Sequence, residues 1–507
     1  VFRPATGPVR TARGEGEQEE GGAVDSEDDL DVLRAAAAMA LDYAATVDDR
    51  PAAPTPQALA GLAAFDEPLP DGGASAQDTL RLLHDAGSPA TMASAGARYF
   101  GFVIGATLPA ALGAAWLTSA WDQNAALPAM SPVAAKLHDI TRGWLLDLLG
   151  LPAGCAVAYV TGATMANAAC LAAARDELLT RLGWDAQADG LFGAPAFDVV
   201  IGEGAHATLR KSLGLVGLGR SRVRVVPADD QGRLRADALP DDLTGPVLLC
   251  AQAGEVNTGA FDPFDDLADW LAARPAGGWL HVDGAFGLWA LADPARRDRL
   301  AAGLPRADSW ATDGHKWLNV TYDCGLAFVR DPALLRRTFT AAAGYTPAGD
   351  TFDAMHHTPQ SSQRARQVEV WAALRTLGRT GVADLVAHAC EAAAEIADRL
   401  RAGGVTVLND VDLNQILIRL DADSSANSSE AAAAAGEALT GGLIAEIQAD
   451  GRIWCGPTLW RGQTAMRLSV SSWKTAPDDA AFAADVILTC AARARARLAP
   501  PLRLAAP

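Results

Sequence analysis

Ala307-Asp308-Ser309-Trp310-Ala311-Thr312-Asp313-Gly314-His315-Lys316-Trp317-Leu318 reads as a short apolar strand that breaks at Asp-Gly and then presents His315 and Lys316 side by side. A second strand begins near Cys324. A lysine held between two buried apolar segments loses hydration, which lowers the pKa of its ammonium and frees an amine to attack an aldehyde. That is the chemistry of a Schiff-base lysine. Taken alone, the His-Lys pair reads more simply as an ordinary strand-end loop with a solvated lysine, and the choice rests on what lies upstream.

Working outward, short apolar segments at 156–160, 199–201, 223–226, 247–251, 279–282 and 325–329 alternate with helical stretches. The alternation implies an α/β domain with a mainly parallel sheet, whose ligands gather at the carboxyl ends of the strands. Chemistry-bearing residues follow those ends. Gly162, Ala163 and Thr164 come after the first strand and lead into a helix expected over 165–182. Small residues there let backbone N–H groups approach a phosphate, the helix dipole favours the dianion and Thr164 adds a hydroxyl; a plain helix cap has the same look. His206 follows the second strand and opens another helix, as a cap or as an active imidazole. Asp283 leaves the fifth strand in His281-Val282-Asp283-Gly284-Ala285 with no Arg or Lys beside it. A buried carboxylate needs a cation, which a protonated ring nitrogen of a cofactor supplies; a turn-capping Asp is the alternative. Thr164, His206, Asp283 and Lys316 together match pyridoxal 5'-phosphate (PLP), with an aldehyde for the lysine, a pyridine nitrogen for the carboxylate and a phosphate for the helix.

Composition sets the bounds. The 507 residues, half apolar and a fifth charged, suffice for two domains with a large core. A formal charge of -19 and the lack of a dense Lys/Arg cluster argue against a nucleic-acid partner. No stretch has the apolar length of a membrane span, no secretory leader pattern opens the chain, and the seven cysteines are scattered without a CxxC pair. These features point to reduced core thiols and a cytoplasmic, non-membrane protein. Residues 1–28 form an acidic tail too like-charged to fold alone, and 29–125 an N-terminal helical segment with helices at 29–47, from 76 and at 109–121. The large domain is expected over 126–380 and a small C-terminal domain, with strands at 415–420 and 465–470, over 381–507.

The chain resembles the group II PLP-dependent amino-acid decarboxylases of the fold-type I (aspartate aminotransferase-like) superfamily. The resemblance runs from about Arg98 to about Asp485 through Arg98-Tyr99-Phe100-Gly101, Ser131-Pro132, Gly-Glu-Val-Asn-Thr-Gly-Ala-Phe-Asp at 254–262, His281 to Ala285, Asp308-Ser309, His315-Lys316-Trp317 and the stretch 364–378. It implies a mainly parallel seven-stranded large domain with a smaller α/β C-terminal domain. By resemblance Lys316 forms the internal aldimine, Asp283 pairs with the pyridinium nitrogen, and His206 and Ala285 lie on the two ring faces. Gly162, Ala163, Thr164 and His315 are phosphate candidates, and Asn257 a candidate for the phenolic oxygen. Tyr345, in the segment 340–363, matches the tyrosine that reprotonates the quinonoid carbon, and Phe102 matches an aromatic of the substrate pocket.

Three departures stand out. Glu255 replaces a frequent Thr near the expected substrate carboxylate, Ser131-Pro132-Val133-Ala134-Ala135-Lys136-Leu137-His138 departs from Ser-Pro-x-x-Thr-x-Leu-Glu, and Ser362-Gln363-Arg364 departs from Ser-Arg-Arg. Arg467 is open to two roles, a substrate-carboxylate ligand or a structural ion pair, and the adjacent His356 and His357 read as solvated. The expected function is decarboxylation of an L-amino acid, aromatic or apolar, to the amine in a homodimer. An aminotransferase or decarboxylation-coupled oxidase is the first alternative. A non-catalytic scaffold built on the same fold is the second.

Overall fold

The computed structural model describes residues 26–340, 352–422 and 429–498. It divides into two compact units, one running to Val47 and including Pro54–Thr91, the other comprising Asp48–Ala53 and the chain from Met92 onward. The first unit is helical, with helices Ser26–Thr46, Pro56–Gly61 and Ala76–Leu82. Ser75 caps the last of these, its hydroxyl accepting the Asp78 N–H at 3.0 Å and donating to the Asp78 carboxylate at 2.7 Å.

The second unit is built on a seven-stranded sheet. Its strands are β1 (Ala156–Val160), β2 (Asp198–Gly202), β3 (Arg224–Val226), β4 (Val247–Gln252), β5 (Gly278–Asp283), β6 (Ser309–Asp313) and β7 (Gly325–Val329), in the order β1-β7-β6-β5-β4-β2-β3. β7 runs antiparallel to both of its neighbours and the remaining pairs are parallel, so the sheet is mainly parallel. Side chains alternate between two cores: Val157, Tyr159, Leu249 and Ala251 face one, while Ala156, Ala158, Val160, Leu248 and Cys250 face the other. Burial on both faces explains why these strands read as unbroken apolar runs rather than alternating ones.

The helix Ala163–Arg181 fills the second core with Ala166, Ala169, Cys170 and Ala173. Small side chains on that face bring it close enough for the Cys170 thiol to reach the Trp310 carbonyl at 3.5 Å. The other core is covered by Pro132–Leu148 and by the run Gln367–Ala402, which bends at Gly378 where φ is +64°. Glycine tolerates that left-handed value, and it separates the two helices that the sequence suggests on either side of residue 380.

A second sheet completes the unit, with β8 (Thr406–Val407), β9 (Gln415–Arg419), β10 (Gly456–Trp460) and β11 (Gln463–Ser469) in the order β10-β11-β9-β8. All its pairs are antiparallel. Arg461 and Gly462, at φ +51° and +78°, form the two-residue turn that joins β10 to β11. All seven cysteines are buried and free. Among the described residues no helix is long and apolar enough to cross a membrane.

Candidate active site

The carboxyl ends of β1, β2, β5 and β6 carry Gly162 to Thr164, His206, Asp283 and the His315-Lys316 pair, at or just past the strand end. Register aligns Asp283 with Ala311 across β5 and β6, so Asp283 and the Asp313-to-Lys316 turn leave neighbouring strands side by side. Asp283 is buried, which raises its pKa, while charges on His206 and Lys316 and hydrogen bonds from Asn167 and Ala285 oppose the rise. His206 and Lys316 therefore lie within electrostatic reach of one carboxylate. Among the described residues no ion pair is made to Asp283, and the heteroaromatic cation expected opposite it would supply one.

Asn167 is a site residue the sequence reading missed. Its Nδ2 donates to Asp283 Oδ2 at 3.0 Å, and its Oδ1 lies 2.8 Å from His281 Nε2. His281 Nδ1 is 2.8 Å from Ser309 Oγ, which in turn accepts from Trp279 Nε1 at 2.8 Å. Only one direction satisfies every member: Trp279 donates to Ser309, Ser309 to His281, His281 to Asn167 and Asn167 to Asp283. Burial lowers the His281 pKa to about 3, which keeps the ring neutral as this chain requires. The available signal was a lone amide on the sheet-facing side of an alanine-rich helix.

His206 caps its helix and also lies within reach of the Asp283 and Lys316 charges. Its Nδ1 accepts the Thr208 N–H at 3.3 Å and lies 2.7 Å from the Thr208 hydroxyl, so Nε2 carries the ring proton. Burial pulls its pKa down, Asp283 opposes this, and Lys316 and Arg467 reinforce it.

At the head of the Ala163 helix the fit is close. A Cβ on Gly162 would sit 3.4 Å from both Asp313 Oδ1 and His315 Cε1, and a Cβ on Gly325 would lie 2.4 Å from the Gly162 backbone. The Ala163 N–H donates to Asp313 Oδ1 at 2.5 Å, Asp313 Oδ2 is 3.1 Å from Lys316 Nζ, and His315 Nε2 is 3.6 Å from Asp313 Oδ1. Asp313, read from sequence only as a strand breaker, thus touches both the helix head and the lysine. His315 accepts the Cys324 N–H through Nδ1 at 3.1 Å and packs against the Tyr322 ring at 4.1 Å, and burial lowers its pKa. A Cβ on Gly105 would fall 1.8 Å from the Lys316 carbonyl oxygen, so the segment after Phe102 crosses directly over the lysine turn. Asn319, at φ +57°, ends that turn by donating to the Trp317 and Ser471 carbonyls and accepting the Trp473 N–H.

Several residues differ from expectation. Asn257 turns its amide to Glu255 and Thr458. Glu255 is buried and accepts the N–H groups of Asn257 and Thr258 at 2.7 and 2.9 Å, so its carboxylate organises the 255–260 turn rather than standing free as a second pocket charge. Arg467 donates to the Val256 and Phe102 carbonyls at 3.0 and 3.2 Å; among the described residues no carboxylate lies within ion-pair distance of it, and Glu255 acts on it only through its charge. Phe102 is exposed and stacks on Trp454, whose other face takes Tyr99. Trp454 was invisible to a local reading, because its partners lie some 350 positions away. His356 and His357 are buried, not solvated: Phe352 stacks between His138 and His357, at 3.8 and 4.1 Å. Tyr345 lies outside the described residues.

The donor set fits PLP: a buried carboxylate with no ion pair among the described residues, an amine past the end of the neighbouring strand, an imidazole that feels both charges and a helix head closed by glycine. Comparisons agree. The acidic amino acid decarboxylase GADL1 of Bos taurus is 29% identical over 289 residues, 54% of this chain and 54% of that protein. The L-2,4-diaminobutyrate decarboxylase of Rhizobium meliloti is 30% identical over 287 residues, 54% of this chain and 55% of that protein. The chain thus spans about half the length of the curated relatives it matches. Its fold is that of the crystal structure of Oryza sativa TDC with PLP and tryptamine, at a TM-score of 0.83 and 22% identity over 93% of this chain and 99% of that one. Residues 90–420, more than half of the chain and inclusive of every strand-end residue described above, match the model of the pyridoxal-dependent decarboxylase conserved domain, and the chain belongs to that family.

Proposed function

We propose that this protein uses PLP to decarboxylate an L-amino acid with an aromatic or apolar side chain, releasing the amine and carbon dioxide. The observation that carries the reading is the shared electrostatic environment of Asp283, His206 and Lys316 at the carboxyl ends of β5, β2 and β6. Lys316, Asp283, His206, Ala285, Gly162, Ala163, Thr164 and His315 would hold the cofactor. When bound, it supplies the electron sink for the pair left behind as carbon dioxide departs.

The chain's own residues do the rest. Asp283, oriented by Asn167, holds a proton at the ring nitrogen. The Arg467 guanidinium, in no ion pair among the described residues but within reach of the Glu255 charge, receives the substrate carboxylate. Phe102, Trp454 and Tyr99 supply an aromatic wall for the side chain. Tyr345 donates the proton to the carbon that loses carbon dioxide, and its segment excludes water as it does so. A homodimer is supported by apolar side chains left exposed on two helices, Trp116, Leu117 and Trp121 on Pro109–Trp121 and Trp144 on Pro132–Leu148.

The test is a screen of the common L-amino acids against PLP-loaded protein, with carbon dioxide, amine and peroxide measured together. Equal amine and carbon dioxide from an aromatic or apolar substrate is the expected result. Peroxide with little amine would assign an oxidase instead, and no carbon dioxide from any substrate would reject the reading. Tyr345→Phe should shift the product from amine toward aldehyde; an unchanged ratio removes Tyr345 from the proton transfer.

A further inference from the structure

The first amide of a helix is where an anion is best received, because the N–H is unpaired within the helix and the dipole is positive there. Here that amide, Ala163 N–H, is taken by a side chain of the protein. Asp313 Oδ1 accepts it at 2.5 Å, and Asp313 Oδ2 forms an ion pair with Lys316 Nζ at 3.1 Å. The imidazole of His315 stands 3.6 Å off the first oxygen. Asp313 is 3% exposed, and its backbone is fixed on both sides, the N–H donating to the Ala285 carbonyl and the carbonyl accepting from Trp289 Nε1, each within 2.9 Å. Both oxygens of its carboxylate are engaged as well, one by the helix head and one by the lysine.

We infer that Asp313 is a resident anion at the phosphate end of the site, a positioning residue that holds Lys316 and the helix head together and competes with an incoming phosphate for both. The inference rests on the PLP reading given above. Two buried anions at one helix terminus repel each other, so the chain takes a phosphate-bearing aldehyde less readily than the same site would with a neutral side chain at position 313. An aldehyde without the phosphate does not meet that repulsion. Asp313 therefore sets how strongly the protein distinguishes PLP from pyridoxal. A merely structural residue would affect both aldehydes alike.

The experiment titrates full-length protein with PLP and with pyridoxal, reading borohydride-fixed adduct at Lys316 by peptide mass mapping, in wild type, Asp313→Asn, Asp313→Ser and Asp313→Glu. The ratio of PLP affinity to pyridoxal affinity should rise about tenfold in the two neutral variants and stay near wild type in Asp313→Glu, which keeps the charge. A ratio that is unchanged or falls in both neutral variants overturns the inference. Inorganic phosphate alone gives a second, lysine-independent readout: it should raise the melting temperature of the Asn and Ser variants more than that of wild type, and equal shifts would count against Asp313. Should wild type fix neither aldehyde at Lys316 while phosphate still discriminates the variants, the cofactor reading falls and the anion competition stands. Adduct at Lys316 with no change of ratio does the reverse.

Discussion

Lys316 and Asn167 act on opposite ends of the same site, and each has its own expected phenotype. Lys316→Ala removes the amine, so the borohydride-fixed adduct should vanish and carbon dioxide release should fall by more than about a thousandfold. An adduct that survives on another lysine would displace Lys316 from its role. Asn167→Leu leaves Asp283 buried with its Oδ2 donor gone and His281 Nε2 without an acceptor. Losing a hydrogen bond to a buried charged group costs about 1.5–3 kcal/mol, so cofactor affinity should drop roughly ten- to a hundredfold, measured by equilibrium titration. His281 adds a pH dependence. Its folded pKa of about 3 lies below the ordinary histidine value of 6.5, so the unfolded chain binds the extra proton between these values and the folded chain does not. Stability is fully present above about pH 6.5 and is lost as the pH falls toward 3. Urea unfolding at a series of pH values should show that slope in wild type and a flatter one in His281→Gln.

At the scale of elements, the close crossing of β7 over the helix head leaves no room for a side chain. Gly325→Ala places a methyl 2.4 Å from the Gly162 backbone, and neither backbone can retreat without breaking the β1–β7 pairing. Overpacking of this kind costs about 1–3 kcal/mol, and here it should also abolish PLP binding, since the displaced atoms belong to the proposed phosphate seat. Thermal unfolding and cofactor titration of the variant check both. The elements themselves were largely legible because burial on both faces leaves its mark as apolar runs, and all seven large-sheet strands fall at or within two residues of where the sequence puts them. β10 escaped: Gly456–Trp460 is a half-exposed edge strand with a proline, and it has neither pattern. The site was legible where a functional residue directly follows a strand, as with His206, Asp283 and Lys316. It was not legible for Asp313 or Trp454, whose roles depend on contacts 150 or more positions distant. Glu255 shows the converse, a carboxylate conspicuous in sequence whose bonds are all within its own turn.

For the whole molecule, the exposed tryptophans make a prediction about assembly. Trp116 and Trp121 are 39% and 42% exposed on one helix; wild type should sediment as a dimer and a Trp116→Glu, Trp121→Glu double variant as a monomer. Wild-type monomer at micromolar concentration would end the homodimer proposal. The tie made by Asn319 has a consequence of another kind. Besides its bond to the nearby Trp317 carbonyl, its side chain completes the lysine turn by reaching the Ser471 carbonyl and the Trp473 N–H, more than 150 positions later in the chain. During synthesis the reactive amine must therefore remain in an unfinished setting until the ribosome has delivered residue 473, and stalled chains that end short of it should emerge with a sheet but no capacity to capture the vitamin.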